Sequence, residues 1–299
     1  MSDWHQVKLK EMIADVVAQV SGRAFLGHDF CRERAWREVI IGYSYGMLNA
    51  ARELHLWPKF LRLVVVWLLP SCRRLRETLQ EARTHLEPVV KARHAIIAAS
   101  KEKGYPSQTG LCALDWLEEV AQGRPYDPIA IQVCLAFVGM DTDLIFHVIS
   151  DLSQDQELVD ALREEKSSVF EGKEFGGKQE LQNLRLLDSV IKESQRLRPT
   201  GKVSMHRIAK ETFTLPGDVY VPKGTCLGVS TSHMMGSSVW PDGEKFDGYR
   251  FYKMRQSPDK ANSAQLVATN PEHMGFGYGK MACPGRFFVA NEMKIFVIL

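Results

Sequence analysis

The chain has 299 residues, of which 45% are hydrophobic and 25% are charged, a globular composition that excludes disorder throughout. Its formal net charge of +2 gives no reason to expect a nucleic-acid partner. The six cysteines are scattered and form no Cys-x-x-Cys pair, so the sequence supports neither a zinc site nor a disulfide scaffold.

The first two thirds of the chain are predicted to be helical. Apolar residues that recur over 4–21 predict a first helix, which ends at Gly22. Further helices are predicted over 32–54 and 71–100, the second of them bent near Pro88. The longest aliphatic run, LRLVVVWLLP, is far shorter than the ~20 apolar residues that span a bilayer. The chain as given is therefore expected to be soluble or peripheral.

Helix-start signals recur farther along the chain, after a loop predicted at 104–106. Asp127 followed by proline predicts the N-cap of a buried helix over 128–152. Ser153 with Gln156 then predicts a capping box for the next helix, because a serine and a residue three positions later can satisfy each other's backbone N–H groups.

The periodicity changes after one more helix, predicted over 184–197. Short β-rich segments follow at 212–215, 219–221 and 225–230, separated by Pro-Gly and Gly-containing turns, and they predict a hairpin or small sheet. The sequence shows neither internal repeats nor a low-complexity linker. We therefore predict a mainly α fold with a small β portion, forming a single domain over 1–299.

A glycine-rich stretch near the C-terminus, NPEHMGFGYGKMACPGRFFVANE at 270–292, contains a lone cysteine, Cys283. Cysteine binds metals as the thiolate, and backbone N–H groups or a helix N-terminus stabilise that anion. Glycines such as Gly277 and Gly279 let backbone amides turn inward, and the segment after Gly285 reads as a helix. The pattern is typical of a cysteine that binds a metal.

Two other interpretations of this stretch stay open from its residues alone. A buried, inert cysteine beside a turn is common in proteins. Gly277, Gly279 and Ala282 also fit the nucleotide-binding pattern G-x-G-x-x-A. A polar segment precedes them where a strand is needed, however, and the chain ends before an acidic ribose partner could follow.

The stretch FGYGKMACPG at 276–285 is similar to the haem-binding signature of the cytochrome P-450 superfamily, F-x-x-G-x-[R/H]-x-C-x-G. The matching residues are Phe276, Gly279, Cys283 and Gly285. The resemblance implies an incomplete cytochrome P-450-like fold in which Cys283 is the axial thiolate of haem b (iron protoporphyrin IX). It also implies that Phe276 packs near the sulfur and that Gly277 belongs to the cofactor-binding loop.

A second family signature, E-x-x-R on a helix, matches ESQR at 193–196. A Glu and an Arg three positions apart usually form an ordinary surface pair. The resemblance instead implies a buried triad, in which Glu193 lies between Arg196 and Arg250 of the segment FDGYRF. Such a triad is tolerable in the interior because the carboxylate and the guanidinium groups satisfy each other.

A third signature, A/G-G-x-D/E-T on the central helix of the family, matches at Gly139, Asp141 and Thr142, with Val138 at the first position. These residues interrupt an apolar run, which also agrees with a plain helix end carrying capping residues. The resemblance implies a catalytic acid and alcohol pair, Asp141 and Thr142, that delivers protons during oxygen activation.

The resemblance implies that two parts of the chain lie at the haem propionates, and only one of them offers a hydrogen-bond donor. The segment KVSMHRIAK at 202–210 matches a strand of the family that lines the pocket, so His206 or Arg207 is a candidate to reach a propionate, although His206 also suits a plain edge strand. Met281 stands where the signature has Arg or His and cannot donate such a hydrogen bond. This difference from the family signature implies that the protein retains haem less tightly.

The chain looks most like fungal secondary-metabolism members of the family. The resemblance to these members implies that the chain is a monooxygenase. Such an enzyme would hydroxylate or epoxidise an apolar, for example terpenoid, substrate with O2 and electrons from an NADPH-cytochrome P-450 reductase. We expect that reductase to meet the cysteine side, at Lys280, Arg286 and Lys294.

Full-length relatives are expected at the endoplasmic reticulum membrane. This chain begins within the helical part, without an anchor, and stops in the helix after the cysteine loop, so it reads as truncated at both ends and as cytoplasmic or peripheral. The alternative function is a truncated, non-catalytic remnant without productive haem.

Overall fold

A computed structural model describes residues 6–28, 30–102, 112–135, 139–172 and 177–299. The described chain is mainly helical with four short strands, which confirms the predicted fold class. It divides into two compact units, 1–142 and 143–299. The single domain over 1–299 stays a prediction.

The first unit consists of helices. They are α1 Leu9–Leu26, α2 Arg34–His55, α3 Arg62–Leu68, α4 Pro70–Glu102, α5 Ala113–Ala121 and α6 Pro128–Leu135, with a short 3-10 helix at Phe30–Arg32. Helix α4 packs against α2, α3 and α6, while α1 packs against α2 and α5. The apolar faces of these helices meet around buried side chains such as Ile13, Trp36, Leu86 and Leu114.

The second unit combines helices with the strands. The division between the two units falls after Thr142, within helix α7, Gly139–Leu152. The later helices are α8 Gln156–Phe170, α9 Lys178–Asn183, α10 Arg185–Leu197, α11 Arg250–Met254 and α12 Arg286–Ile298, with 3-10 helices at Ser232–Met235 and Gly279–Met281. Helix α10 lies at the centre of this unit, because its residues 186–196 are all buried.

The strands form two antiparallel pairs. Strands β2, Phe213–Leu215, and β3, Val219–Val221, make a hairpin whose turn has positive φ at Gly217 (+83°) and Asp218 (+58°). Strand β1, Val203–Ile208, pairs with β4, Cys226–Ser230, and the register shifts at a bulge between the two ends of β1. The predicted hairpin is confirmed.

Helices α2 and α4 confirm the predictions over 32–54 and 71–100 to within about two residues, and Pro88 lies inside α4. The predicted end of the first helix at Gly22 is wrong. Gly22 is buried inside α1, where an added Cβ would lie 3.4 Å from the Cβ of Cys31. The helix ends at Gly27, which has a φ of +95° that favours glycine. The loop predicted at 104–106 lies outside the described residues.

The aliphatic run near residue 65 forms α3, a short helix that the sequence analysis did not predict. Val65 is buried, whereas Leu63 and Trp67 are largely exposed. The Arg76 guanidinium donates to the carbonyl of Val66 at 2.8 Å and lies 4.8 Å from the Trp67 ring, which holds the end of α3 against α4. None of the described helices combines the length and the apolar character needed to cross a bilayer.

Helix α6 begins at the predicted cap. The Asp127 carboxylate accepts the backbone N–H groups of Ile129 at 3.1 Å and Ala130 at 3.0 Å. The Ala130 hydrogen bond, with the guanidinium of Arg83, lowers the pKa of Asp127. Helix α6 ends at Leu135 and α7 begins at Gly139, so the middle of the helix predicted over 128–152 lies outside the described residues.

Helix α8 has a different cap from the one predicted. The Asp155 carboxylate accepts the N–H of Leu158 at 3.0 Å, whereas the Ser153 hydroxyl donates to the carbonyl of Ser150 at 2.8 Å. The prediction of Ser153 was wrong, because its hydroxyl is directed back to α7. Asp155 is the N-cap of α8.

This geometry predicts different costs for two nearby substitutions. Replacing Asp155 by alanine should lower the free energy of unfolding by about 1 kcal/mol, because α8 loses its only side-chain cap among the described contacts. Ser153→Ala is the matched control and should change it little. Urea unfolding followed by circular dichroism measures both, and equal losses for the two variants would contradict the assignment of the cap.

Candidate functional site

The cysteine loop, residues 275–285, is closed by backbone hydrogen bonds. The N–H of Cys283 donates to the carbonyl of Phe276 at 2.8 Å, and the N–H of Gly277 donates to Met274 at 2.8 Å. Gly277 and Gly279 have φ angles of +74° and +64°, which other L-residues rarely adopt. Glycine at these two positions therefore allows the chain to fold back on itself around Cys283.

Cys283 is a free, half-buried cysteine just before α12. An added Cβ at Gly285 would lie 3.8 Å from its Sγ, so glycine there leaves that side of the sulfur uncovered. The Arg286 guanidinium donates to the carbonyl of Cys283 at 2.9 Å and to that of Val267 at 3.1 Å. Arg286 thus ties the loop to the preceding segment of the chain.

The residues beside the sulfur fit a flat, apolar, metal-containing group such as haem. Phe276 and Ala282 are half-buried apolar neighbours in the loop, and Phe287 on α12 is largely exposed. Cysteine is a soft donor suited to iron, and the first turn of a helix offers N–H groups that stabilise a thiolate. Met281, which is 67% exposed, adds no hydrogen-bond donor to this surface.

A buried ion pair lies on α10. The Arg196 Nε and Nη2 atoms donate to the two carboxylate oxygens of Glu193, each at 2.8 Å, and both side chains have no exposed surface. This two-point contact matches the fork of the guanidinium to the carboxylate. The Nη1 atom donates to the carbonyls of Met234 at 2.7 Å and Gly243 at 2.6 Å. Arg196 therefore links α10 to the segment that follows β4.

Arg250 completes the arrangement at the start of α11. Its Nε atom lies 3.0 and 3.2 Å from the two carboxylate oxygens of Glu193, and its Nη1 atom donates to the carbonyl of Pro241 at 2.7 Å. The N–H of Asp247 donates to the same carboxylate at 3.1 Å. The structure thus brings together Glu193, Arg196 and Arg250, the residues predicted to form a triad, while its place beneath a haem stays a prediction.

Lys192, the residue before Glu193, was not singled out from the sequence. Its ammonium group donates to the carbonyls of Ser263 at 2.8 Å and Gln265 at 2.7 Å and lies 4.9 Å from the centre of the Phe251 ring. Burial lowers the pKa of Lys192 to about 7. No sequence signal points to this role, because a lysine on a helix is ordinarily read as exposed.

Lys294 was predicted to face a redox partner, but the structure buries it. It is 4% exposed, and its ammonium group contacts the Asp188 carboxylate and donates to the carbonyl of Leu181 at 3.1 Å. Asp188 also accepts the N–H of Leu266 at 2.7 Å. The expectation that Lys294 offers positive charge to a partner is therefore wrong, because its charge is used inside the second unit. Lys280 is exposed.

Asp141 and Thr142 lie in the first turn of α7, at the end of the first unit. Thr142 has no exposed surface. Burial raises the pKa of Asp141 to about 7, because water is missing around the charged form. The carboxyl group can therefore take up and release a proton near neutral pH. The predicted neighbour Val138 lies outside the described residues.

His206 and Arg207 lie on β1 and are both exposed. The Arg207 guanidinium donates to the carbonyl of His206 at 2.8 Å. Met205, with a φ of +55°, lies in the bulge of β1 next to them. The candidate role of His206 and Arg207 at a propionate stays a prediction.

The chain matches the family model described as "Cytochrome P450" over residues 2–299. It is 41% identical over 296 residues to the cytochrome P-450 monooxygenase pyr3 of Aspergillus fumigatus, a match that covers 98% of this chain and 57% of that protein. It is 42% identical over 297 residues to the monooxygenase adrA of Penicillium rubens, with 98% and 58% covered. The monooxygenase trt6 of Aspergillus terreus is 41% identical over 298 residues, with 98% and 60% covered.

The chain belongs to the cytochrome P-450 family, whose cofactor is haem. The relatives are fungal monooxygenases, which confirms the family resemblance predicted from the cysteine loop. The chain spans about three fifths of the length of these relatives.

The buried ion pair on α10 predicts that a conservative substitution of Glu193 strongly lowers the free energy of unfolding. Glu193→Gln removes the negative charge between two guanidinium groups and should lower the free energy of unfolding by about 3–5 kcal/mol, because buried cations are left without a counter-charge. The control is Glu11→Gln in the exposed pair with Lys8, which should change stability little. Chemical unfolding measures both variants, and a loss for Glu193→Gln as small as that of the control would contradict the buried ion pair.

The raised pKa of Asp141 predicts how stability depends on pH. Its folded-state pKa of about 7 lies above the unfolded value of 3.8, so the folded protein holds more protons between these values and loses stability as the pH rises through that window. Asp141→Asn has no carboxyl group to ionise at this position and therefore avoids this loss of stability. Its gain in unfolding free energy over the wild type should be small at pH 4 and largest above pH 7.

Thermal unfolding of the two proteins across pH 4–8 tests this dependence. Asp160→Asn, at an exposed position of α8, serves as a control for the loss of a carboxylate. A gain for Asp141→Asn that stays constant over the range would contradict the raised pKa of Asp141.

Proposed function

We propose that this chain is the haem-thiolate part of a monooxygenase that hydroxylates or epoxidises an apolar, for example terpenoid, substrate. Cys283 is its axial ligand to haem b, and the haem-thiolate domain extends over 1–299. When bound, haem supplies the oxygen activation by which one atom of O2 enters a C–H or C=C bond of the substrate.

The observation that carries this proposal is the placement of Cys283. A half-buried sulfur precedes a helix, the loop around it depends on glycine at two positions of positive φ, and glycine at 285 leaves one side of the sulfur open. In this arrangement the loop holds the thiolate, while Phe276 covers its flank. Gly277, Gly279 and Gly285 keep side chains away from the bound group.

Asp141 and Thr142 are the proposed proton-transfer pair. A carboxyl group with a pKa of about 7 is protonated in part at neutral pH, so it can give a proton and recover it from solvent. The Thr142 hydroxyl is both donor and acceptor and can pass that proton onward. Arg207 or His206 is the proposed hydrogen-bond donor to a propionate.

The proposed electron donor is an NADPH-cytochrome P-450 reductase. Relatives of the family are monooxygenases, and such enzymes use a redox partner in addition to O2 and a substrate. Lys280 of the cysteine loop and Arg286 at the start of α12 supply positive charge for an acidic partner, without Lys294. Stopped-flow reduction of the wild-type chain by such a reductase tests this choice of partner.

The absorption spectrum of the reduced chain under carbon monoxide tests the proposed ligand. The wild type should show the Soret band of a thiolate-ligated haem. Cys283→Ser should lose that band, because a serine hydroxyl is a poor ligand for ferrous iron. Cys226→Ser, at an exposed cysteine of β4, is the matched control and should keep it.

Two outcomes would contradict the proposal. An unchanged band in Cys283→Ser would place the ligand elsewhere. Absence of haem from the purified wild type would instead favour the alternative, a non-catalytic remnant of such an enzyme. Met281 is the sequence feature that favours weak retention of haem.

A further inference from the structure

The Gln195 side chain on α10 has an unusual environment. It is 3% exposed, and its Oε1 atom is buried without a hydrogen-bond donor among the described residues. Burying an acceptor in this way costs about 1–3 kcal/mol, whereas an apolar side chain of similar shape would carry no such cost. Packing alone therefore does not account for a glutamine at this position.

The amide group of Gln195 lies against the cysteine loop at Gly275. A Cβ added at Gly275 would lie 2.1 Å from Oε1 and 2.3 Å from Cδ of Gln195, distances that real atoms do not adopt. The φ of Gly275 is not positive, so glycine is needed here for close approach to Gln195 and not for an unusual backbone angle. The orphaned acceptor thus points at the first residue of the loop.

A free donor lies next to that contact. The N–H of Phe276 is two covalent bonds from the Cα of Gly275 and donates to no other described residue. The carbonyl of Phe276, in turn, accepts the N–H of Cys283 at 2.8 Å. The unpaired acceptor of Gln195 and the N–H of Phe276 therefore both adjoin the same residue, Gly275, at the base of the cysteine loop.

We propose that Gln195 is a positioning residue whose Oε1 accepts the N–H of Phe276 when the cysteine loop holds haem. This inference rests on the proposed function of Cys283. The hydrogen bond connects α10, which is fixed by Glu193 and Arg196, to the backbone of Phe276, whose carbonyl accepts the N–H of Cys283. Gln195 thereby sets the height of the sulfur relative to α10, and Gly275 is the residue that allows this contact.

Hydrogen exchange of the haem-loaded wild type and of Gln195→Met tests the bond directly. Methionine has a similar volume but accepts hydrogen bonds poorly, so the Phe276 amide should exchange roughly tenfold faster in the variant. The Cys283 amide is an internal control, because its partner is the carbonyl of Phe276 and not Gln195. It should stay protected in both proteins.

A second readout is the rate at which haem leaves the protein for a haem-scavenging globin. Gln195→Met should lose haem roughly threefold to tenfold faster than the wild type, the effect expected for one hydrogen bond that orients the ligand. Gly275→Ala should lose it faster as well, because its Cβ would collide with Gln195. The double variant Gln195→Ala/Gly275→Ala relieves the collision and should still behave like Gln195→Met.

The outcomes separate this inference from the proposed function. Equal exchange of the Phe276 amide in the wild type and in Gln195→Met would overturn the role of Gln195 alone, with Cys283 still the ligand. If the variant fails to fold, a Phe276 amide that exchanges in the wild type as fast as that of the exposed Lys280 would overturn it too. A wild type without haem, or a Cys283→Ser variant with an unchanged spectrum, would overturn both.

Discussion

The carboxylate of Glu193 is the constraint on which the second unit depends. It lies between two guanidinium groups and has no exposed surface. Burying these charges costs several kcal/mol for each ion, and the cost is offset only while all partners stay in place. Segments that supply partners, such as the carbonyls near 234 and 243 and the start of α11, are therefore held at fixed distances from α10.

The same helix also fixes the chain that leads to the cysteine loop. Asp188 accepts an N–H from Leu266, Lys192 donates to the carbonyls of Ser263 and Gln265, and the backbone carbonyl of Lys192 lies 3.2 Å from the ring of His273. The loop itself is held mainly by short-range backbone bonds. Its position relative to the rest of the unit is therefore set by polar groups of α10, which explains why a helix buried on all sides carries so many charges.

Sequence periodicity was sufficient for the long elements and for the hairpin, because α2, α4 and the turn at Gly217 each carry their own local signals. The short helices α3, α5, α9 and α11 were missed, since so few residues show little periodicity. Motif spacing placed Glu193 and Arg196 on one helix. It did not show that Lys294 is buried, because its partner Asp188 is distant in the chain and only the folded structure brings them together.

Lys192 and His273 lie close together in the interior around α10. His273 is buried, and burial with the adjacent Lys192 lowers its pKa to about 3. The folded protein therefore resists protonation of His273, and stability falls as the pH drops through 6.5, where the unfolded chain takes up the proton. Desolvation likewise opposes the charge on Lys192. Because desolvation opposes charge of either sign, the charged side chains of α10 are retained only where counter-charges or backbone carbonyls satisfy them, as they do for Arg196 and Lys192.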